Sequence, residues 1–188
     1  RWMPELEGKT LRHWAALKGL EPTIENGAEL VIQAQLNGGA SCVFHAMDEA
    51  DVERIMKHPQ TMIASDGRLV APGMGHPHPR WYGTFPRVLG HYVREKGTLT
   101  LPEAIHKMTL LPARTMGLKD RGLLASGMKA DVVIFDPLTV ADKATFEEPH
   151  QYPTGIPYVI VNGQIAVENG EFQGIKGGKV LRKPTAAD

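Results

Sequence analysis

The stretch that most limits the possible folds runs from residue 67 to residue 80. Glycine or proline stands at Gly67, Pro72, Gly73, Gly75, Pro77 and Pro79, which leaves no room for a regular element. Just before it, Thr61-Met62-Ile63-Ala64-Ser65 reads as a short apolar strand that runs straight into Asp66-Gly67. Just after it, Phe85, Val88, Leu89, Tyr92 and Val93 share one face of an expected helix near 85–96, stopped by Gly97. The chain therefore has to run from strand through a long irregular loop to helix, with a carboxylate where the strand opens into the loop.

The flanking sequence repeats this alternation and then abandons it. Residues 1–40 read mostly as helix and loop, with Asn26-Gly27 as a turn signal. Ala28 to Leu36 is an apolar element that periodicity leaves open between helix and strand. Ser41-Cys42-Val43-Phe44-His45 is expected as a short buried strand, with Cys42 as a small buried hydrophobe. Asp48 is placed to cap a helix that ends at His58-Pro59, and Thr100 to cap another with Pro102 and Glu103 in its first turn. From about residue 120 onward the tail is strand-rich. Ala130 to Asp136 reads as a strand, and Tyr158–Val161, Asn162-Gly163 and Gln164–Val167 as a hairpin with the preferred type I′ pair. Asn169-Gly170 marks a further turn.

Composition excludes several classes. Lys plus Arg and Asp plus Glu are 21 each, so the formal charge is zero and no basic footprint for nucleic acid exists. No apolar run is long enough for a membrane span, and the first residues do not form a signal peptide. The lone cysteine rules out an internal disulfide and a cysteine zinc cluster, and suggests a reducing, cytoplasmic setting. At 188 residues the chain can bury a real core, yet a complete (β/α)8 barrel needs about 250. Position 1 is Arg, so the chain is expected to begin inside a longer protein.

Two places offer chemistry. A strand-end carboxylate such as Asp66, followed by glycine, has room for a metal, a water or a substrate, although Asp-Gly also serves as a plain turn. In His76-Pro77-His78-Pro79-Arg80 the alternating prolines splay the two rings apart, which argues against a shared metal. A guanidinium at Arg80, on a loop over that carboxylate, suits bidentate capture of a substrate carboxylate, with a surface or interdomain salt bridge as the other reading. A nucleotide site has no support, since neither GxGxxG nor a P-loop occurs.

Several segments together resemble the carboxy-terminal part of N-acyl-D-amino-acid deacylases (D-aminoacylases). They are Thr61 to Gly67, His76 to Arg80, Tyr82-Gly83-Thr84-Phe85-Pro86-Arg87-Val88-Leu89-Gly90, Lys107-Met108-Thr109 with Pro112-Ala113-Arg114, and Asp120-Arg121-Gly122. Gly127-Met128-Lys129-Ala130-Asp131-Val132-Val133-Ile134-Phe135-Asp136-Pro137 resembles a signature of the amidohydrolase superfamily, and Ala144 to Glu147 and Val161 to Gly163 agree. The likeness covers about residues 41–182.

The resemblance implies an α/β fold: the closing part of a (β/α)8 metal-dependent amidohydrolase barrel plus a small β-sandwich-like domain. Residues 1–40 would end an insertion, 41–120 would supply the last barrel strands and helices, and 121–188 the β-rich domain. The implied reaction is cleavage of an N-acyl-D-amino acid to a carboxylate and a free D-amino acid. The implied cofactor is Zn2+, one or two ions, held mainly by residues upstream of this chain, and Cys42 does not match the family's metal cysteine. Asp66 matches the catalytic carboxylate that lies against the metal, as general base and then general acid. Arg80 resembles the arginine that grips the substrate's α-carboxylate, and Gly67 and His78 would shape the same rim. The expected partners are the small-molecule substrate, the remainder of the enzyme chain and, as an open alternative, further copies in a homo-oligomer, with neither nucleic acid nor membrane. Two other readings stay open: a cyclic-amide amidohydrolase of hydantoinase or dihydroorotase type, and a non-catalytic β-rich binding fragment.

Overall fold

The computed structural model describes residues 2–182, which form a mixed α/β fold: helices first, then one small antiparallel sheet. Helix α1 (Leu11–Leu17) starts where the Thr10 hydroxyl accepts the His13 N–H, and α2 (Ile24–Leu36) where Thr23 accepts that of Asn26. The element left open at Ala28–Leu36 is thus helix. Asn26-Gly27, expected as a turn, sits in the first turn of α2. The Asn26 side chain donates to the Glu21 carbonyl at 2.9 Å, so its local bonding stabilises the helix start instead of a reversal. Trp14 and Ala15 of α1 bury against Leu30 and Ala34 of α2, with Met3 and Leu6 packed alongside.

The expected strand at Ser41–His45 does not form. Residues 41–47 carry no regular structure and are exposed, Cys42 among them. An extended segment becomes a strand only when a neighbour accepts its ladder of hydrogen bonds, and the described residues offer these positions none. Helix α3 (Glu49–Lys57) follows the sequence closely. Asp48 accepts the Ala50 and Asp51 N–H groups, and the chain leaves the helix at His58, whose ψ of 130° suits the following proline.

Thr61–Ser65 is likewise not a strand; it is fastened by a buried lysine. Helix α5 (Leu101–Met108) begins with a capping box between Thr100 and Glu103 and carries Lys107, only 4% exposed. Its ammonium donates to the carbonyls of His58 (2.5 Å) and Thr61 (3.1 Å), and its own carbonyl accepts the Ile63 N–H (3.0 Å). The segment leading to Asp66 is therefore fixed to α5. Helix α6 (Leu110–Thr115) ends at Gly117, whose φ of 75° closes the turn.

The helix expected near 85–96 starts earlier, at Arg80, and changes pitch. Helix α4 (Arg80–Arg87) contains Pro86, which cannot donate to the preceding turn, and Val88–Glu95 continues as π-helix. One side of this rod lies on residues 137–142. A Cβ at Gly83 would stand 2.8 Å from the Asp142 Cβ, and one at Gly90 would stand 2.7 Å from the Val140 carbonyl oxygen. Arg87 pairs with the Asp142 carboxylate (3.2 Å), and Arg94 donates to the Val140 carbonyl (2.6 Å). Gly83 and Arg87 meet Asp142 while Gly90 and Arg94 meet Val140, so glycine and arginine pair off along the contact at the same interval of seven. The core beside it unites Met56, Val88, Leu89, Tyr92, Leu99, Ala104 and Val140.

The tail is a meander with strand order β1-β2-β3-β4. Strand β1 (Val132–Ile134) pairs with β2 (Tyr158–Val161), β2 with β3 (Gln164–Glu168), and β3 with β4 (Glu171–Phe172), all antiparallel. Asn162 and Gly163 adopt φ of 49° and 80°, and Asn169 and Gly170 φ of 52° and 82°, as two-residue I′ turns require. Strand β1 is shorter than Ala130–Asp136 because the backbone leaves the ladder at both ends, the Asp131 N–H donating to the Lys129 carbonyl (2.9 Å) and that of Asp136 to the Gly155 carbonyl (2.9 Å), outside β2. Asp131 accepts from Arg121 and from the Asn162 N–H, and Asp136 from Leu138 and Thr139 in a turn. The last residues of the expected β-rich segment, 183–188, lie outside the described residues. No helix among the described residues is long and apolar enough to cross a membrane.

Candidate functional site

Asp66 and Arg80, fourteen positions apart, meet. The Arg80 Nη2 donates to Asp66 Oδ2 at 2.9 Å, and its Nε donates to the Asp66 carbonyl at 3.3 Å. Two bonds from one guanidinium thus close the 67–79 loop into a ring, with Asp66 at one end and the first residue of α4 at the other. The Asp66 side chain is 88% exposed and that of Arg80 42%. The remaining carboxylate oxygen, Oδ1, has no hydrogen-bond partner among the described residues. Exposed pairs of this kind contribute at most about 1 kcal/mol, so either group is available to another charged partner.

Close backbone approach shapes the loop's start. At Gly67 a Cβ would lie 3.3 Å from the Trp81 Cα, so the chain after Asp66 passes directly under α4. The loop's end is shaped by His78. Its Nδ1 accepts the Arg80 backbone N–H at 3.0 Å, which fixes the proton of the neutral ring on Nε2. Burial, then the Arg80 charge, holds the His78 pKa below that of an ordinary histidine, with Asp66 opposing. Its ring meets Phe146 edge-on at 5.2 Å, and the His45 ring meets the same phenyl at 4.5 Å. His76 turns to a different task, hydrogen-bonding the Phe146 carbonyl at 2.6 Å. Both loop histidines thus lie against Phe146, His76 at its carbonyl and His78 at its ring.

One group near the site escaped the sequence reading. His150, in the irregular segment 141–157, bonds with both ring nitrogens to the loop and to Tyr82 of α4. Nothing periodic marks this position, and only its place between Pro149 and Tyr152, downstream of the Ala144–Glu147 segment, offered a signal.

A metal requires more donors than these. A zinc site takes three or four protein ligands, and among the described residues no group of three or more His, Cys, Asp or Glu side chains could hold an ion. The exposed Asp66 carboxylate could provide one ligand oxygen, so any ion here would be held mainly by groups outside the described residues.

Known proteins share much of this sequence and its fold. The chain is 44% identical over 183 residues to a D-aminoacylase of Alcaligenes xylosoxydans xylosoxydans, covering 97% of this chain and 36% of that protein. It is 50% identical over 143 residues to an N-acyl-D-aspartate deacylase of the same organism, covering 76% of this chain and 28% of the other. Among solved structures, the N-acyl-D-glutamate deacylase of Bordetella bronchiseptica, complexed with zinc and a phosphonate inhibitor, superposes with a TM-score of 0.75 at 44% identity, over 88% of this chain and 33% of that one. The chain thus spans about a third of the length of the relatives it matches. The profile of the amidohydrolase family matches residues 10–167, most of the sequence, and the chain belongs to that family.

Proposed function

We propose that this chain is the closing part of a zinc-dependent N-acyl-D-amino-acid deacylase, which hydrolyses its substrate to a carboxylate and a free D-amino acid. The observation that carries the reading is the direct meeting of Asp66 and Arg80 at the two ends of one loop, both open to solvent. The likeness to deacylases of N-acylated D-amino acids supports it. In this reading residues 1–40 end an insertion, 41–120 belong to the barrel and 121–188 to a β-rich domain. The remainder of the enzyme supplies most ligands of one or two zinc ions, and Asp66 adds a carboxylate oxygen. The reading includes a cytoplasmic location, in keeping with a single cysteine.

Zinc, when bound, lowers the pKa of a water and polarises the scissile carbonyl. The chain's own residues handle protons and orientation. Asp66 accepts a proton from the attacking water on its unengaged Oδ1 and later delivers it to the leaving nitrogen. Arg80 directs its remaining N–H donors to the substrate α-carboxylate, a planar partner that a guanidinium matches two bonds at a time.

The test uses the full-length protein loaded with zinc and a panel of N-acetyl-D-amino acids. Asp66→Asn is expected to lower kcat by at least about 10²-fold with the fold intact, and a loss within about tenfold overturns the acid–base role. Arg80→Ala is expected chiefly to raise KM for carboxylate-bearing substrates, and an unchanged KM overturns that role.

A further inference from the structure

The loop between Asp66 and Arg80 has no regular structure of its own, yet it sets where Arg80 stands. Its internal bonding is slight, with Met74 donating to the Ala71 carbonyl at 3.0 Å. The bonds that hold the loop's middle come from residues 146–150. His150 is central. Its Nε2 lies 2.9 Å from the Gly75 carbonyl oxygen, and its Nδ1 lies 3.4 Å from the Gly73 nitrogen and 2.9 Å from the Tyr82 hydroxyl.

These partners leave one arrangement of protons. A carbonyl only accepts, so Nε2 carries the hydrogen; a backbone N–H only donates, so Nδ1 is bare. Tyr82 must then donate its hydroxyl proton to Nδ1. Burial raises the Tyr82 pKa above that of an ordinary tyrosine, which keeps that proton in place. Tyr82 is two residues beyond Arg80, in the first turn of α4, and its ring is braced edge-on by Tyr152 at 5.4 Å. One imidazole therefore ties the middle of the loop to the helix turn that carries Arg80.

We propose that His150 is a positioning residue for Arg80: as the neutral Nε2–H tautomer it fixes Gly73, Gly75 and Tyr82 relative to one another, and so sets the guanidinium for a substrate carboxylate. The inference rests on the reading of Arg80 given above. It assigns His150 no contact with substrate.

The experiment compares His150→Phe, Arg80→Ala and the double variant in the full-length zinc-loaded enzyme with an N-acetyl-D-amino acid. His150→Phe keeps a ring against Tyr82 and removes all three bonds. It is expected to raise KM about tenfold with kcat within about threefold, because a misplaced binding group mainly costs binding. The double variant is expected to match Arg80→Ala, since two residues acting through one contact do not add. Amides of residues 67–79 should exchange hydrogen faster in His150→Phe, with the sheet unchanged. Tyr82→Phe deletes only the hydroxyl that bonds Nδ1; it is the gentler variant should His150→Phe fold poorly, and is expected to give a smaller KM rise of the same kind. KM effects of His150→Phe and Arg80→Ala that multiply, or unchanged exchange in the loop, overturn the inference. An Arg80→Ala KM equal to wild type instead overturns the reading of Arg80, which separates the two failures.

Discussion

Replacing Gly90 by alanine tests whether the helix from Arg80 to Glu95 is seated on residues 137–142 backbone to backbone. On an exposed helix this change stabilises by about 1 kcal/mol, because alanine loses less chain entropy than glycine. Here the new Cβ would stand 2.7 Å from the Val140 carbonyl oxygen and 3.3 Å from the Ala141 Cα, where ordinary contact begins at 3.4 Å. Neither obstacle is a flexible side-chain tip, so the two backbones must separate by more than half an ångström. Val140 is fully buried, and its carbonyl also accepts the 2.6 Å bond from Arg94. Overpacking of this sort costs about 1–3 kcal/mol, and weakening a bond from a charged donor adds about 1 kcal/mol or more. After subtracting the helical gain, Gly90→Ala should destabilise by about 2 kcal/mol, lowering the melting temperature by roughly 4–8 °C for a unit of this size. The assay is thermal melting of wild type and variant at one fixed scan rate. Gly83→Ala, whose Cβ meets the Asp142 side chain, should show a smaller loss. A melting temperature equal to or above wild type for Gly90→Ala would refute the argument, because it is the outcome for a helix face that touches nothing.

Two further outcomes follow from buried and bridged charges. Lys107→Met keeps the stem but leaves the carbonyls of His58 and Thr61 without their donor, so stability should fall by about 1–3 kcal/mol in a urea titration, and no loss would show that the ammonium is dispensable. Glu53, Glu95 and Glu103 are each held below the ordinary value of 4.5, chiefly by hydrogen bonds from Lys96, His91 and Thr100 respectively. A carboxylate with a lowered folded-state pKa stabilises the fold above its unfolded value and loses that contribution as pH falls through the lowered one. Stability measured by denaturant titration should therefore decline below about pH 4.5, and Glu103→Gln should flatten the decline; equal slopes would remove Glu103 from the account.

How much could be read in advance divides along the range of the interaction. The caps at Asp48 and Thr100 and the turns at Asn162-Gly163 and Asn169-Gly170 formed where the sequence pointed, because a cap or a two-residue turn is decided by atoms a few positions apart. The segments Ser41–His45 and Thr61–Ser65 have the composition of strands, but a strand is a property of two segments, and neither finds a ladder partner in the described residues. Helix α2 swallowed Asn26-Gly27 because Thr23 captured the Asn26 N–H, a competition between two local signals that composition does not rank. Asp66 and Arg80 stood out through strand-end placement and family resemblance, and the structure brings them together. His150 did not stand out, since its partners lie about seventy residues away and its surroundings have no period. The glycines at 83 and 90 had a legible signal after all, two small residues seven apart on one helix face, with arginines at the same interval.

Strands β1 and β2 are adjacent in the sheet, and Ile134 sits directly across from Tyr158. Two residues would suffice to join them. Residues 135–157 intervene instead, and this arm carries Val140, Asp142, Phe146 and His150. Lengthening a loop from two residues to about twenty costs only about 2 kcal/mol of closure entropy, since the cost grows with the logarithm of length. Burying Val140 alone is worth a similar amount. The arm is thus an inexpensive excursion hung between two facing strand ends, and its position is inherited from their pairing. A two-residue slip of β1 against β2 would drag one foot of the arm by about 7 Å, more than twice the longest bond His150 makes to the loop. The small sheet is in this sense the gauge by which the position of the arm is set.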